Sequence, residues 1–469
     1  MASVTPERNP IYWFYGSASV AFGIKNNAFS YLLLIYSTQV LGIPGYLAAL
    51  ALAIAMGWDA ISDLILGHWS DKTQSRFGRR HPFMYAGFIL LPLSFYALFN
   101  PLFELTDSTR WLYLLVTAVL IRTAVTLVEV PSVALLPDLV KDYDERNKWL
   151  VLRHAFGWYG GNGIHVINMA LWVGAFGVGV QTGYSIYGFF GAVVIGASIL
   201  ISSLGTQKVA SAIPPPTEVF RFTEIWHEIK QIGQSVTNAN FLWLFIYSLI
   251  VGAAGGMSTA LYLYNVTYFF QFEGSQIAVT GIFVFASPAI AYFLAPALGC
   301  FLGKKRAAIA ALVVAIVLYP IPYLMTLGGY WPESGSWDSL ICYSFFVMTE
   351  VVGFIVGGVM LDSMMADVVE DSEVRTSRRS EGLFYAARSF AGKAVSAMGI
   401  VLAGSIVSLV GMDGISSGAD MTDSMRVDLA SFFLPLYCGL YFSAIYLISR
   451  YRIDRDTHNQ NLEALANKQ

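Results

Sequence analysis

Between Gly57 and Phe83 the chain reads GWDAISDLILGHWSDKTQSRFGRRHPF. Asp59 and Asp63 stand four residues apart in an otherwise apolar run, so a helix carries them on one face, one turn apart. Gly67, Asp71 and a basic tail with Arg76, Gly78, Arg79 and Arg80 follow. A carboxylate at bilayer depth costs at least about 2.5 kcal/mol on insertion scales. A membrane helix that keeps two of them must turn them toward an interior cavity.

The rest of the chain makes that helix one of many. The 469 residues are 56% hydrophobic and only 13% charged, with a mean hydropathy of +0.58; an ordinary soluble domain carries about twice that charged share. Apolar runs recur at the length of about 20 residues that a bilayer requires. Twelve spans are expected, at roughly 12–41, 44–69, 83–104, 111–140, 150–177, 183–204, 240–270, 277–302, 307–328, 338–366, 382–411 and 428–449. No cleavable leader is expected, because the first apolar stretch outruns a signal-peptide core. The three cysteines lie in apolar segments, which argues against a disulfide framework or a zinc site.

Basic residues test the span assignment. Of the 28 lysines and arginines, 21 fall in the N-terminus, in loops after even-numbered spans or in the C-terminal tail. Only Arg110 and Arg426 fall in the alternate loops. The positive-inside bias then puts both termini in the cytoplasm of a multi-pass plasma-membrane protein, the inner membrane if the cell is bacterial.

The chain also divides. Residues 205–239 form the longest polar interruption, with Pro214, Pro215 and Pro216, followed by an amphipathic pattern (Phe222, Ile225, Trp226, Ile229) expected to lie along the membrane surface. PDLVKDYDER at 137–146 matches ADVVEDSEVR at 366–375 with a constant offset of 229, pairing Asp138 with Asp367 and Arg146 with Arg375. The expected organisation is a six-helix half (1–204), a cytoplasmic linker (205–239), a second six-helix half (240–450) and a tail (451–469). The fold class is therefore all-α, two six-helix halves in parallel repeat, the major-facilitator plan.

Charges inside the spans are the functional candidates: Lys25, Asp59, Asp63, Arg122, Glu129, Arg153, Glu350, Asp362, Arg388 and Lys393. Adjacent carboxylates repel unless a proton or cation lies between them, so Asp59 and Asp63 form a candidate Na⁺, Li⁺ or H⁺ site. Thr126 and Glu129 can add a hydroxyl and a third carboxylate, since oxygen ligands suit hard cations. The bland reading is that these acids only form salt bridges with Lys25, Arg153 or Lys393. Lys25, Asn26 and Asn27 make a polar knot able to hydrogen-bond a solute. Tyr385 and Arg388 fit a vestibule. The six histidines lack metal-ligand spacing and read as structural, with His154 or His165 as the ones able to reach a cavity. With no GxxxxGK[ST] loop, direct ATP drive is not expected.

These residues resemble the second-span signature of the glycoside–pentoside–hexuronide:cation symporter family, typified by melibiose permease. The loop is also similar to that of sucrose–proton symporters. TLVEVPSVALLPDL (126–139), LVLRHAF (150–156) and SEGLFYAARSFAGKAVSA (380–397) extend the resemblance from about Tyr15 to Arg450. It implies that Asp59 and Asp63 bind the coupling cation, Na⁺ where sodium is used, with Ser62 and Thr126 beside them. It places Glu129 on a sugar-binding aspartate, Arg153 on a cavity arginine and Lys393 on a lysine near both sites. Gly67, Asp71, Arg76, Gly78, Arg79 and Arg80 would form a cytoplasmic gating motif. Asn26 replaces a sugar-binding aspartate, Val133 replaces a tryptophan that stacks on the sugar, and Ser62 replaces an asparagine of the cation shell.

The expected activity is thus symport of Na⁺ or H⁺ with a small organic solute, a glycoside or related sugar. An amphipathic, aromatic or lipid-like solute is the alternative; an intramembrane prenyltransferase and a transporter-like sensor are the rivals. No cofactor is expected beyond the coupling ion, nor any nucleic-acid partner. Membrane lipid, the solute and the cation are the partners, and the chain is expected to work as a monomer.

Overall fold

The structure is a computed structural model that describes residues 10–140, 142–212, 239–376, 381–415 and 420–453, with isolated positions beyond. Side chains of residues 143, 144, 375–391, 393, 394 and 396 also lie outside the described set. So do the amphipathic pattern after Pro216 and the side chains of Tyr385, Arg388 and Lys393.

Among the described residues, twelve helical rods follow in chain order. In the first half they are α1 (Pro10–Asn27, continued by turns Ala28–Leu32 and Tyr36–Val40), α2 (Gly45–Asp71), α3 (His81–Phe99), α4 (Arg110–Ala134, then Leu136–Leu139), α5 (Tyr143–Leu171) and α6 (Gln181–Ala210). In the second half they are α7 (Ala239–Tyr264, then Asn265–Phe269), α8 (Gly274–Leu302), α9 (Lys304–Leu318, then Ile321–Leu327), α10 (Trp337–Thr376), α11 (Glu381–Val410) and α12 (Asp423–Ser449). Among the described residues nine of these rods are long and apolar enough to cross a membrane; α1, α5 and α11 fall outside that set. Helices are the natural solution in hydrocarbon, because every backbone N–H and C=O is satisfied within the segment.

The 229-residue offset seen in the sequence reappears in the backbone. The π turn Tyr36–Val40 matches Asn265–Phe269, and α2 starts at Gly45 as α8 starts at Gly274. Between them Ile43 N donates to Ser37 O at 2.9 Å, and Phe272 N donates to Val266 O at 2.8 Å. Gly42 (φ 67°) and Gln271 (φ 58°) both occupy the left-handed region, which a non-glycine residue enters at a cost. The two halves are the same fold built twice.

Glycines let the backbones approach. A Cβ on Gly23 of α1 would lie 2.0 Å from the carbonyl oxygen of Gly157 on α5, the close crossing that small residues permit in membranes. Across the halves, a Cβ on Gly404 would lie 2.3 Å from Gly45 O, and one on Gly274 would lie 2.3 Å from Gly174. These two crossings join α2 to α11 and α8 to the end of α5, at the end of the bundle opposite the basic loops. Hydrogen bonds seal the same end: Gly45 N to Asp413 Oδ1 at 2.9 Å, Gln39 Nε2 to Met412 O at 2.8 Å, and Thr38 Oγ1 with Tyr264 OH at 2.5 Å.

Because Gly45 and Gly404 touch through backbone, a side chain there wedges the halves apart. In a variant with Cys300, Cys342 and Cys438 replaced by serine, Ser408→Cys should react with a membrane-impermeant maleimide roughly tenfold faster when Gly404→Val is added, a shift of about 1.4 kcal/mol in the opening equilibrium. An unchanged rate would show that the contact does not hold this end shut.

Candidate cation and solute site

Asp59 is buried halfway along α2, and the side chain opposite it is Arg122 of α4: Arg122 Nη1 lies 3.5 Å from Asp59 Oδ2. Arg122 is equally buried, and its guanidinium sits 4.2 Å above the ring of Phe29 on α1. Three carboxylates attract it, Asp59 most strongly, then Glu129 and Asp63. Thr126 Oγ1 lies 3.4 Å from Asp59 Oδ1, 3.2 Å from Ser62 Oγ and 3.0 Å from Arg122 O. The structure therefore gathers Asp59, Ser62 and Thr126 around one point, with half-buried Asp63 and Glu129 at its edge. Carboxylate and hydroxyl oxygens are the donors a hard monovalent cation takes.

The main residue that sequence reading left without a role is Arg122. Its spacing to Thr126 and Glu129, four and seven residues, puts all three on one face of α4, and that spacing was the available signal. The salt-bridge partners weighed for Asp59 did not include it.

The expected solute residues are more dispersed. Lys25 is buried on α1 while its neighbour Asn26 is exposed, and Asn27 Nδ2 donates to Gly23 O at 3.3 Å. Arg153 on α5 is buried against α1, 5.1 Å over Phe22 and 5.6 Å over Tyr15. Val133 is 44% exposed. None of these lines the central cavity, which measures ≈ 170 Å³ and lies between the halves. Tyr31, Trp158 and His165 form one wall; Ser258, Tyr262 and Glu350 stand on the other. His165, read as a structural residue, lines this space.

The basic loop after α2 folds into an ion network. Arg80 donates through Nη2 to Asp71 Oδ1 at 2.8 Å and through Nη1 to both Asp138 and the Ala134 carbonyl. Arg79 Nη2 donates to Asp138 Oδ2 at 2.9 Å. Gly78 turns the chain at φ 88°, and a Cβ there would meet Ala210 O at 3.0 Å. Gly67 has ordinary room beside Val130, and Arg76 points away, 4.7 Å over the ring of Phe77. The repeat carries its own version: Lys304 Nζ donates to Asp367 Oδ1 at 2.7 Å, and Tyr451 OH donates to Oδ2 at 3.4 Å. Asp138 and Asp367, paired in the sequence repeat, thus each hold the cation that opens the preceding odd-numbered helix.

A bundle of membrane-length helices in two repeated halves, with buried ions and a cavity between the halves, defines a membrane transporter of the major-facilitator fold. The family described as MFS/sugar transport protein matches residues 14–455, and the chain belongs to it. It is 24% identical to the uncharacterized symporter YnaJ of Bacillus subtilis (strain 168), over 97% of this chain and 94% of that protein. It is 26% identical to a lactose permease of Lactobacillus delbrueckii subsp. bulgaricus over 82% of this chain and 60% of that one, and 22% identical to the putative glycoside/cation symporter YagG of Escherichia coli (strain K12) over 94% and 92%. Among solved structures, a bacterial homologue of the lysosomal transporter Spinster superposes with a TM-score of 0.64 at 15% identity, covering 97% of this chain and all of that one (100%). The xylose transporter XylE of E. coli in its inward-open conformation gives 0.60 at 13% identity, covering 97% and 99%. The family and these folds are transporters, so the intramembrane prenyltransferase reading is dropped.

The network at the basic end makes an unequal prediction. Asp138→Ala leaves Arg79 and Arg80 facing each other without their shared carboxylate, which should lower stability by about 3 kcal/mol. Asp71 is half exposed, so Asp71→Ala should cost less than about 1 kcal/mol. Thermal unfolding of the two variants in detergent, followed by tryptophan fluorescence, checks the ranking.

Proposed function

We propose that the protein is a secondary symporter that couples inward flow of Na⁺ or H⁺ to uptake of a small organic solute, a glycoside or related sugar, by alternating access. The observation that carries this reading is the buried cluster of Asp59, Ser62 and Thr126, with Asp63 one turn on and Arg122 as its counter-ion. The printed names of YagG and of the lactose permeases support it from outside the structure.

A cation entering between Asp59 and Asp63 competes with Arg122 for the Asp59 carboxylate. Once displaced, the guanidinium turns toward Glu129, three carboxylates now share two positive charges, and the repulsion that opposes rearrangement falls. Solute bound in the cavity between the halves feels that change, and coupling is the reciprocal free energy between the two sites. The Gly45/Gly404 and Gly174/Gly274 crossings separate as the halves rock. In this reading the basic end is cytoplasmic, both termini lie there, and one chain in a lipid bilayer is sufficient.

A second reading has one observation in its favour. The central cavity is walled largely by Tyr31, Trp158, Tyr262 and Phe354, which suits an amphipathic or aromatic solute as well as the face of a sugar ring.

Thermal stability in NaCl, LiCl and KCl at fixed ionic strength, near pH 6 and near pH 8, tests the cation site. A ligand at about 100 times its Kd should stabilise the fold by about 2.7 kcal/mol. Stabilisation specific to Na⁺ or Li⁺ that Asp59→Asn and Asp63→Asn both abolish is the expected result for sodium coupling. A pH-dependent shift without cation preference, removed by the same variants, is the result for proton coupling. Indifference to salt, pH and both variants would remove the coupling role from this pair.

A further inference from the structure

Glu350, on α10 in the second half, belongs to neither the cation cluster nor the ion networks. It lines the central cavity, and its hydrogen-bonding company consists of hydroxyls. Ser258 of α7 lies 3.1 Å from Oε1, and Tyr437 OH of α12 donates to the same oxygen at 3.2 Å. Ser258 Oγ is also 3.1 Å from Tyr319 OH, which in turn is 3.3 Å from Tyr323 OH. A serine has one proton; when it goes to Glu350, Tyr319 supplies the hydrogen bond to Ser258, and the chain of hydroxyls runs toward the carboxylate. Among the described residues, no side chain hydrogen-bonds Oε2 and no lysine, arginine or histidine lies within ion-pair distance of either oxygen.

Among the described residues, the phenols around it are Tyr31 of α1, Tyr262 of α7, Tyr319 and Tyr323 of α9, Tyr343 of α10, and Tyr437 and Tyr441 of α12. His165 of α5 is the one imidazole on the cavity wall, stacked 5.2 Å from Tyr31. Side chains of the neighbouring stretch of α11 lie outside the described residues. Glu350 is half-buried on the cavity wall, and a carboxylate drawn out of bulk water with two hydroxyl partners is favoured by a positive charge or by a proton. Asp59 shows the contrast: its positive charge is built in, as Arg122.

We propose that Glu350 is a second, proton-carrying carboxylate of the transport cycle, loaded from cavity water and independent of the Asp59 cluster. The step is balanced: the carboxylate takes H⁺ from hydronium, leaving the carboxylic acid and one water, and returns that proton to water when the cavity changes sides. This rests on the transporter reading given above, but not on sodium as the coupling ion. The symport then carries a proton through the second half in addition to the cation held by the first.

Infrared difference spectroscopy of the protein in lipid nanodiscs, without solute and in sodium-free buffer, reads the group directly. Between about pH 5 and about pH 9, either side of neutrality for a buried carboxyl, a protonated-carboxyl C=O band should appear and vanish. Glu350→Gln should lack it, and Asp59→Asn and Asp63→Asn should keep it. Tyr437→Phe and Ser258→Ala should each shift its frequency by removing a hydrogen bond, which keeps the test decisive if Glu350→Gln does not fold. A band unchanged in Glu350→Gln, or unshifted in both hydroxyl variants, overturns the proposal. So does the absence of any titrating band in the wild type, since Glu350 would then keep one protonation state across that range. Loss of salt-specific stabilisation would sink the sodium reading while leaving this band in place, so the two failures are distinguishable.

Discussion

The interaction on which the first half depends is the contact between Asp59 and Arg122. Two unit charges about 4 Å apart attract by about 4 kcal/mol at an effective dielectric near 20, comparable with what it costs to take either out of water. The pair is therefore poised rather than locked. Arg122 lies against the Phe29 ring and feels the charge of two further carboxylates, Glu129 and Asp63, which would attract it when Asp59 finds another partner. A neutral replacement for either partner would remove that attraction, which is why α2 and α4 must keep their registers.

Register is set by the repeated turn. The stretch from Tyr36 to Gly45 and the stretch from Asn265 to Gly274 use the same π turn, the same long backbone hydrogen bond and the same left-handed residue to reverse direction. In the first half glycine takes the left-handed position at 42, and in the second Gln271 does so with a side chain in place. Each turn delivers a glycine, Gly45 or Gly274, to a backbone contact with the opposite half. One local conformation thus fixes both the start of the ion-bearing helix and the seal between halves. A shift of one residue in the turn would rotate Asp59 by about 100° around α2.

Much of this was legible in the chain. The basic-loop asymmetry and the match of Asp138 with Asp367 reported a two-half helical bundle, and the latter proved to mark equivalent ion pairs with Arg79, Arg80 and Lys304. Asp59, Ser62 and Thr126 were recognisable as a set because helical spacing and family resemblance both point there. What lay beyond reach was partnership across the bundle. Arg122 was visible as a charge in a span, but no pattern along one helix says which carboxylate on another it will meet. Glu350 was visible in the same way; Ser258 and Tyr437, which define its environment, stand 92 and 87 residues away in sequence. His165 was read as structural but, with His154, as able to reach a cavity, and it does line the central one.

The two carboxylate sites differ in a way that bears on why a transporter would keep both. At Asp59 the resting positive charge belongs to the protein, so a cation bound there as proposed would displace it and change the net charge of the bundle. At Glu350, on the proton-carrying reading proposed above, the compensating charge would come from outside, and occupancy would swing between a proton and nothing while the hydroxyls of Ser258 and Tyr437 stay in place. The first site stores its response in the position of a side chain, Arg122, that other helices can sense. The second stores it in the charge of the cavity wall that the solute itself meets. Because a buried cavity has few water dipoles to screen that charge, a solute in it would read the state of Glu350 directly, whereas it would read the state of Asp59 only through the packing of α2 against α4 and α11.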